Sequence, residues 1–143
     1  AVRSVGHQLR GVWHAAGVLA DGLLRVQDAH TLRVSYSPKA QGGALIHRAA
    51  SREPLDACVL FSSIAALFGG AGQANYSAAN SYLDGLSMLR RVGAQRATSV
   101  QWGPWADVGM AAAAATTNRR LQSAGISLID TAHGRLAWRA SLL

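Results

Sequence analysis

At 143 residues, 50% hydrophobic and 15% charged, the chain has the size and composition of one globular domain with a buried core. No run of 18 or more apolar residues occurs, the opening AVRSVGHQLRG lacks the apolar block of a signal peptide, and Cys58 is the one cysteine, so a membrane span, a leader and an internal disulfide are not expected and a cytoplasmic setting is the default. The net charge of +7 rests on arginines that lie scattered and without interleaved aromatics, which argues against nucleic acid and for solvated helix faces and helix C-termini.

Short apolar runs alternate with longer helical segments, the pattern of parallel strands joined by crossover helices. The first run is GVWHAAG, residues 11–17. A helical segment follows from about Asp28, a plausible N-cap, to about Ala50, and Pro38 with Gly42-Gly43 predicts a kink in it. ACVLFSS, residues 57–63, is a continuous apolar run of the kind buried on both faces of a sheet. After the glycine cluster at 69–72, Tyr76, Ala79, Asn80, Leu83 and Leu86 share one helix face, with Arg90 and Arg91 in the last turn and Gly93 as the C-terminal cap. ATSVQW, residues 97–102, is the third strand, and its order after strand and helix implies a right-handed crossover with functional loops at the strand C-terminal ends. Those ends are HAAG, SS and WGPW. Five alanines at 111–115 are open to a helix or a lid, and a last helix is expected from Asp130 or Thr131.

GGAGQANYSAANSYLD, residues 69–84, invites a phosphate-loop reading, because backbone amides at a helix start bind anions. A dinucleotide fingerprint needs G-x-G-x-x-G tight against a strand end, whereas Gly70, Gly72 and Asn75 stand well past Ser63 and the third glycine is missing. The alternative is that the glycines bend the loop so that Tyr76 faces the strand end. Ser62 and Ser63, Tyr76 and Asn80, and Lys39, the one lysine in the chain, then converge. A tyrosine beside an ammonium is a competent general acid, and a serine hydroxyl can share the oxygen on which charge develops. Each residue alone also has an ordinary reading as core, cap or solvated side chain. No histidine stands at ligand spacing from Cys58 or from another histidine, so no metal site is expected.

GVWHAAGVLADGLL, SPKAQGG, VLFSSIAALFGGAGQANYSAANSYLDGLSMLRR and SVQWGPWADVGM, in this order and at these separations, resemble the ketoreductase domain of modular polyketide synthases, a relative of the short-chain dehydrogenases. The resemblance covers residues from about Gly11 to Met110. It implies an α/β, Rossmann-like short-chain dehydrogenase fold, a parallel sheet with crossover helices, truncated so that the N-terminal cofactor half with its glycine-rich loop is missing. Residues 1–143 are then a partial ketoreductase domain, with the catalytic part at about 11–110 and a helical segment at about 111–143.

On this resemblance Tyr76 protonates the ketone oxygen and Ser63 hydrogen-bonds it, Ser63 being preferred to Ser62 by the family's offset to the tyrosine. Lys39 holds the nicotinamide ribose and lowers the Tyr76 pKa, and Asn80 completes the proton relay, in the family's swapped arrangement of Y-x-x-x-N with an upstream lysine. Ala16, Gly17, Gly103 and Pro104 are expected to line the NADPH site, and Asp21, Phe68, Gln73 and Met110 to face the substrate and its stereochemistry. The partner implied is an acyl carrier protein bearing a β-ketoacyl chain, beside neighbouring synthase domains. One stereochemical class carries L-D-D where Leu19-Ala20-Asp21 stand, and the other carries tryptophan where Phe68 stands; the retained aspartate favours the first class and its D-configured alcohol. The rival functions are a reductase of the fatty acid synthase type and a ketoreductase-like scaffold without chemistry.

Overall fold

The computed structural model describes residues 8–106, 122–123 and 125–142. The chain divides into two compact units, Ala1–Gln101 and Trp102–Leu143.

The first unit is built on a sheet in the order β1 (Gly11–His14), β2 (Ala57–Ser63), β3 (Thr98–Trp102), whose last residue opens the second unit. Strand β1 runs parallel to β2, with Gly11 opposite Ala57 and His14 opposite Leu60. Strand β2 is central, and Cys58, Val59, Leu60, Ser62 and Ser63 are all buried, as its continuous apolar run predicts. Strand β1 is shorter than expected: pairing ends at His14, and Ala15 to Gly17 continue as exposed or half-buried irregular chain.

Between β1 and β2 the chain forms α1 (Ala29–Tyr36), a π-helical turn at Ser37–Gln41 and α2 (Gly42–Ala49). Helix α1 starts on the expected cap, where the Thr31 N–H donates to Asp28 Oδ1 at 2.8 Å and the Asp28 N–H donates to Thr31 Oγ1 at 2.9 Å. Pro38 has no N–H to give the preceding turn, and the helix widens around it. Gly42-Gly43 do not contribute the predicted kink, since Gly42 is helical at φ −58 and ψ −47. Their role is close approach. A Cβ on Gly42 would stand 3.0 Å from His14 Cε1, and one on Gly43 would stand 2.9 Å from Leu83 Cδ2.

Between β2 and β3 lie a short helix α3 (Ala65–Phe68), in a stretch whose sequence carries no helical period of its own, and the long helix α4 (Ala74–Val92). Gly69 and Gly72 take φ of +73 and +77, a left-handed conformation in which a side chain is strained, so both act as the bend expected of them. The inner face of α4 buries Asn75, Tyr76, Ala79, Asn80, Leu83, Leu86, Ser87 and Arg90. Leu83 and Leu86 pack with Cys58, Leu60, Leu55, Ala50 and Ala97 in the apolar core.

Arg90 departs from the expectation of solvated arginines. It is 2% exposed, and its guanidinium donates to His47 Nδ1 at 3.1 Å and to the Arg96 carbonyl at 3.4 Å, which makes it an internal tie between α2, α4 and the approach to β3. Gly93 caps α4, but the left-handed residue is Ala94 at φ 55. The Gln95 N–H bonds the Arg90 carbonyl and the Ala94 N–H that of Arg91, a Schellman motif with alanine where glycine is usual.

In the second unit Trp105 bridges Ile129 in parallel fashion, with the Ile129 N–H on the Pro104 carbonyl at 2.8 Å and the Ala106 N–H on the Ile129 carbonyl at 2.9 Å. Helix α5 (Thr131–Ala140) begins on Asp130 as predicted, whose carboxylate accepts the His133 N–H at 2.8 Å. The alanine run at 111–115 and Met110 lie outside the described residues. No helix among the described residues is long and apolar enough to cross a membrane, and no three His, Cys, Asp or Glu side chains among them could hold a metal ion.

Candidate active site

The C-terminal end of β2 and the first turns of α4 bring together four of the residues singled out from the sequence. Tyr76 is 8% exposed, and the Lys39 ammonium lies over the face of its ring, 5.6 Å from the centroid. Lys39 is itself only 3% exposed, and its Nζ donates to the Phe61 carbonyl at 2.7 Å. The π turn is what delivers this lysine inward, since it widens the helix at the residue after Pro38. Burial pulls the Lys39 ammonium down to about 8, while the charge of Asp84 opposes that fall.

Tyr76 moves in the direction opposite to the one expected. Burial raises its hydroxyl above the ordinary tyrosine value, hydrogen bonding from Ser63 and Asn80 lowers it in part, and the charge of Asp21 raises it further. The Lys39 ammonium over the ring does not offset the effect of burial. The Tyr76 hydroxyl is therefore a firmly protonated donor at neutral pH.

The two serines at the end of β2 have different hydrogen bonds. Ser62 donates its hydroxyl hydrogen to the Asn80 carbonyl at 3.2 Å and so ties β2 to α4. Ser63 Oγ instead accepts the Ala65 N–H at 3.1 Å, a bond that leaves its own hydrogen for the Tyr76 hydroxyl. Asn80 is fully buried; its Nδ2 donates to the Tyr76 carbonyl at 2.8 Å, and its Oδ1 has no partner among the described groups.

Asp21 and Gln73 also meet, with Gln73 Nε2 donating to Asp21 Oδ2 at 3.1 Å. Phe68 is 72% exposed and makes no part of the buried cluster. Ala16 and Gly17 follow the end of β1, in the same unit as Lys39 and Tyr76, whereas Gly103 and Pro104 belong to the second unit.

Three residues escaped the sequence reading. Asn75 is 1% exposed; its Nδ2 donates to the carbonyls of Ala20 at 2.8 Å and Thr31 at 3.2 Å, and its Oδ1 accepts the Tyr76 N–H at 2.8 Å. It stands beside Tyr76 and fixes where α4 begins. Next to it the Gly22 N–H donates to the Gly72 carbonyl at 2.8 Å, and a Cβ on Gly72 would lie 3.4 Å from the Gly22 nitrogen. Asp84, eight residues after Tyr76 and so on the same side of α4, carries the one negative charge that supports Lys39. His14 binds the Lys39 carbonyl from β1. The helical spacing of Asp84 was readable in advance, whereas the contacts of Asn75 and His14 depend on chain segments far away in sequence.

Comparison with known proteins places the chain in a family. The KR domain profile matches residues 1–107. Polyketide synthase ThaG of Burkholderia thailandensis is 40% identical over 143 residues, spanning 96% of this chain and 2% of ThaG. The spectinabilin polyketide synthase system protein NorB of Streptomyces orinoci is 41% identical over 138 residues, 95% of this chain and 6% of NorB. Among solved structures, one described as "Structure of A-type Ketoreductases from Modular Polyketide Synthase" superposes with a TM-score of 0.89 at 37% identity, over 94% of this chain and 28% of that one. The chain thus spans a small part of the synthases it matches and about a quarter of the ketoreductase chain. It belongs to the KR domain family, the ketoreductase domains of modular polyketide synthases.

Proposed function

We propose that these residues are the catalytic part of an NADPH-dependent β-ketoacyl reductase, acting on a β-ketoacyl thioester carried by an acyl carrier protein beside neighbouring synthase domains. The observation that carries this reading is the shared burial of the Tyr76 hydroxyl with the Ser63 and Asn80 side chains, under the Lys39 ammonium. A scaffold has no use for a buried cation and a serine hydroxyl beside a protonated tyrosine.

The residues present fit one end of such a cofactor. Lys39 uses one of its N–H donors on the Phe61 carbonyl, and the others suit the hydroxyls of a ribose. Ala15 and Ala16 are small and exposed directly after β1, so no side chain obstructs approach there. NADPH contributes a hydride when bound. Reduction of a ketone placed here would put negative charge on its oxygen. Tyr76 gives its proton to this oxygen, Ser63 donates a hydrogen bond to it, and the carbonyl becomes a secondary alcohol. The resulting tyrosinate is held by the Lys39 charge over its ring, and Asn80, with a free buried Oδ1, offers an acceptor in the path by which the proton is replaced. We assign the catalytic part to residues of about 11–110. The Gln73 to Asp21 bond supports a place for both residues at the substrate edge.

The test uses the chain extended upstream to a full ketoreductase domain, offered NADPH and a carrier protein loaded with a β-ketoacyl chain, with mass spectrometry of the carrier. Gain of two hydrogens on the acyl chain supports the reading; a folded domain that leaves the chain unreduced sinks it.

A further inference from the structure

The deepest irregularity in the first unit is the π turn that carries Lys39, and one side chain from a different element grips it. His14, the last residue of β1, is 5% exposed, and its Nε2 lies 2.9 Å from the Lys39 carbonyl oxygen. A carbonyl only accepts, so Nε2 carries the hydrogen and donates. The same carbonyl also takes the Gly42 N–H, so the turn is held from within the helix and from the sheet together.

The room for this ring is made by absent side chains. A Cβ on Gly42 would stand 3.0 Å from Cε1 of His14 and 3.4 Å from its Nε2, and a Cβ on Gly43 would stand 3.7 Å from its Cδ2. Gly42 has ordinary helical backbone, where alanine would be favoured, so its presence answers to the ring, while Gly43 answers first to Leu83, whose Cδ2 a Cβ there would meet at 2.9 Å. Next along the chain of contacts, Lys39 Nζ reaches the Phe61 carbonyl and the Tyr76 ring.

We infer that His14 is a positioning residue for Lys39: its Nε2–H clamps the Lys39 carbonyl and so fixes the π turn in the one arrangement that aims the ammonium between the Phe61 carbonyl and Tyr76. This rests on the reductase reading for its consequence in turnover, and on geometry alone for its consequence in the placement of Lys39. His14 touches neither substrate nor the reacting atoms. A bond of this kind is felt as a modest factor, about tenfold, through a displaced lysine.

The experiment uses the domain extended upstream, with His14→Leu, which removes the donor, and His14→Gln, whose amide nitrogen reproduces the Nε2 position. Two quantities are read below the melting temperature of each protein. One is the rate at which Lys39 is acylated by an N-hydroxysuccinimide ester, followed on its own peptide by mass spectrometry. The other is the pair kcat and KM for NADPH with a β-ketoacyl thioester. We expect His14→Leu to expose Lys39 to faster acylation and to raise the KM for NADPH about tenfold with a smaller fall in kcat, and His14→Gln to restore both toward the parent. Should His14→Leu fail to fold, His14→Asn takes its place, since its shorter amide stops at the Nδ1 position. Acylation of Lys39 at the parent rate in the folded variant, or a glutamine variant no better than leucine, overturns the inference. A parent domain that never turns over, with the acylation pattern as expected, upholds the clamp and defeats the reductase reading instead.

Discussion

The crossover before β2 carries Lys39 on a widened helical turn, while the crossover after β2 carries Tyr76 on a regular helix entered through a glycine bend. The first places a cation where burial opposes its charge, and holds it there with a carbonyl, an aromatic face and the distant charge of Asp84. The second places a hydroxyl whose neutral form burial favours, so it needs no opposing charge. One region thus works against desolvation and the other with it. On the proposed reading, burial keeps the acid protonated and the one lysine is reserved for the charge that appears later.

This contrast can be broken most severely at Lys39. Lys39→Met should lower turnover by about a hundredfold, read as kcat/KM for the thioester. Its stability should respond to pH with a defined sign. The Lys39 pKa is depressed from 10.5 to about 8 in the folded chain, so between those values the unfolded chain binds more protons and the parent gains stability as pH rises. The methionine variant lacks this gain, and the gap between the two in chemical denaturation should change by up to about 3 kcal/mol across that window.

A smaller effect separates the two serines. Ser63→Ala should lower kcat by about tenfold to a hundredfold with little change in melting temperature, because its hydroxyl hydrogen, held at the Tyr76 hydroxyl, is the one a ketone bound there would take. Ser62→Ala should do the reverse, costing about 1 kcal/mol of stability through its lost bond to the Asn80 carbonyl. Equal kinetic losses in both would refute the division between them.

Asn75→Ala strands the carbonyls of Ala20 and Thr31 and should cost about 1–3 kcal/mol in urea denaturation, with α4 still formed. The smallest change is a gain. Ala94→Gly relieves a left-handed alanine at the end of α4 and should stabilise by about 0.5–1 kcal/mol, measured the same way.

Much of this was readable from residues in order. Strand β2 and the α4 face followed from apolar period, and Asp28 and Asp130 marked helix starts because capping is local chemistry. Pro38 announced an irregularity, but its form as a π turn that aims Lys39 depends on what lies beneath it. The role given in advance to Gly42-Gly43 was wrong for the same reason, since a glycine inside a helix answers to a neighbour the sequence does not name. Arg90 looked like a helix-end cation and is buried against His47, which stands on another helix. The choice of Ser63 over Ser62 rested on resemblance, since the different bonds of the two serines are set by α4 and the following turn and are invisible in the sequence. The tyrosine pKa was misjudged because proximity to a lysine was counted and burial was not.

The most direct test of the account is NADPH consumption with a β-ketoacyl thioester by the extended domain and by its Tyr76→Phe variant, with thermal melts in parallel. The account predicts a fall of at least about a hundredfold in the variant at an unchanged melting temperature. A folded phenylalanine variant that turns over like its parent would contradict it.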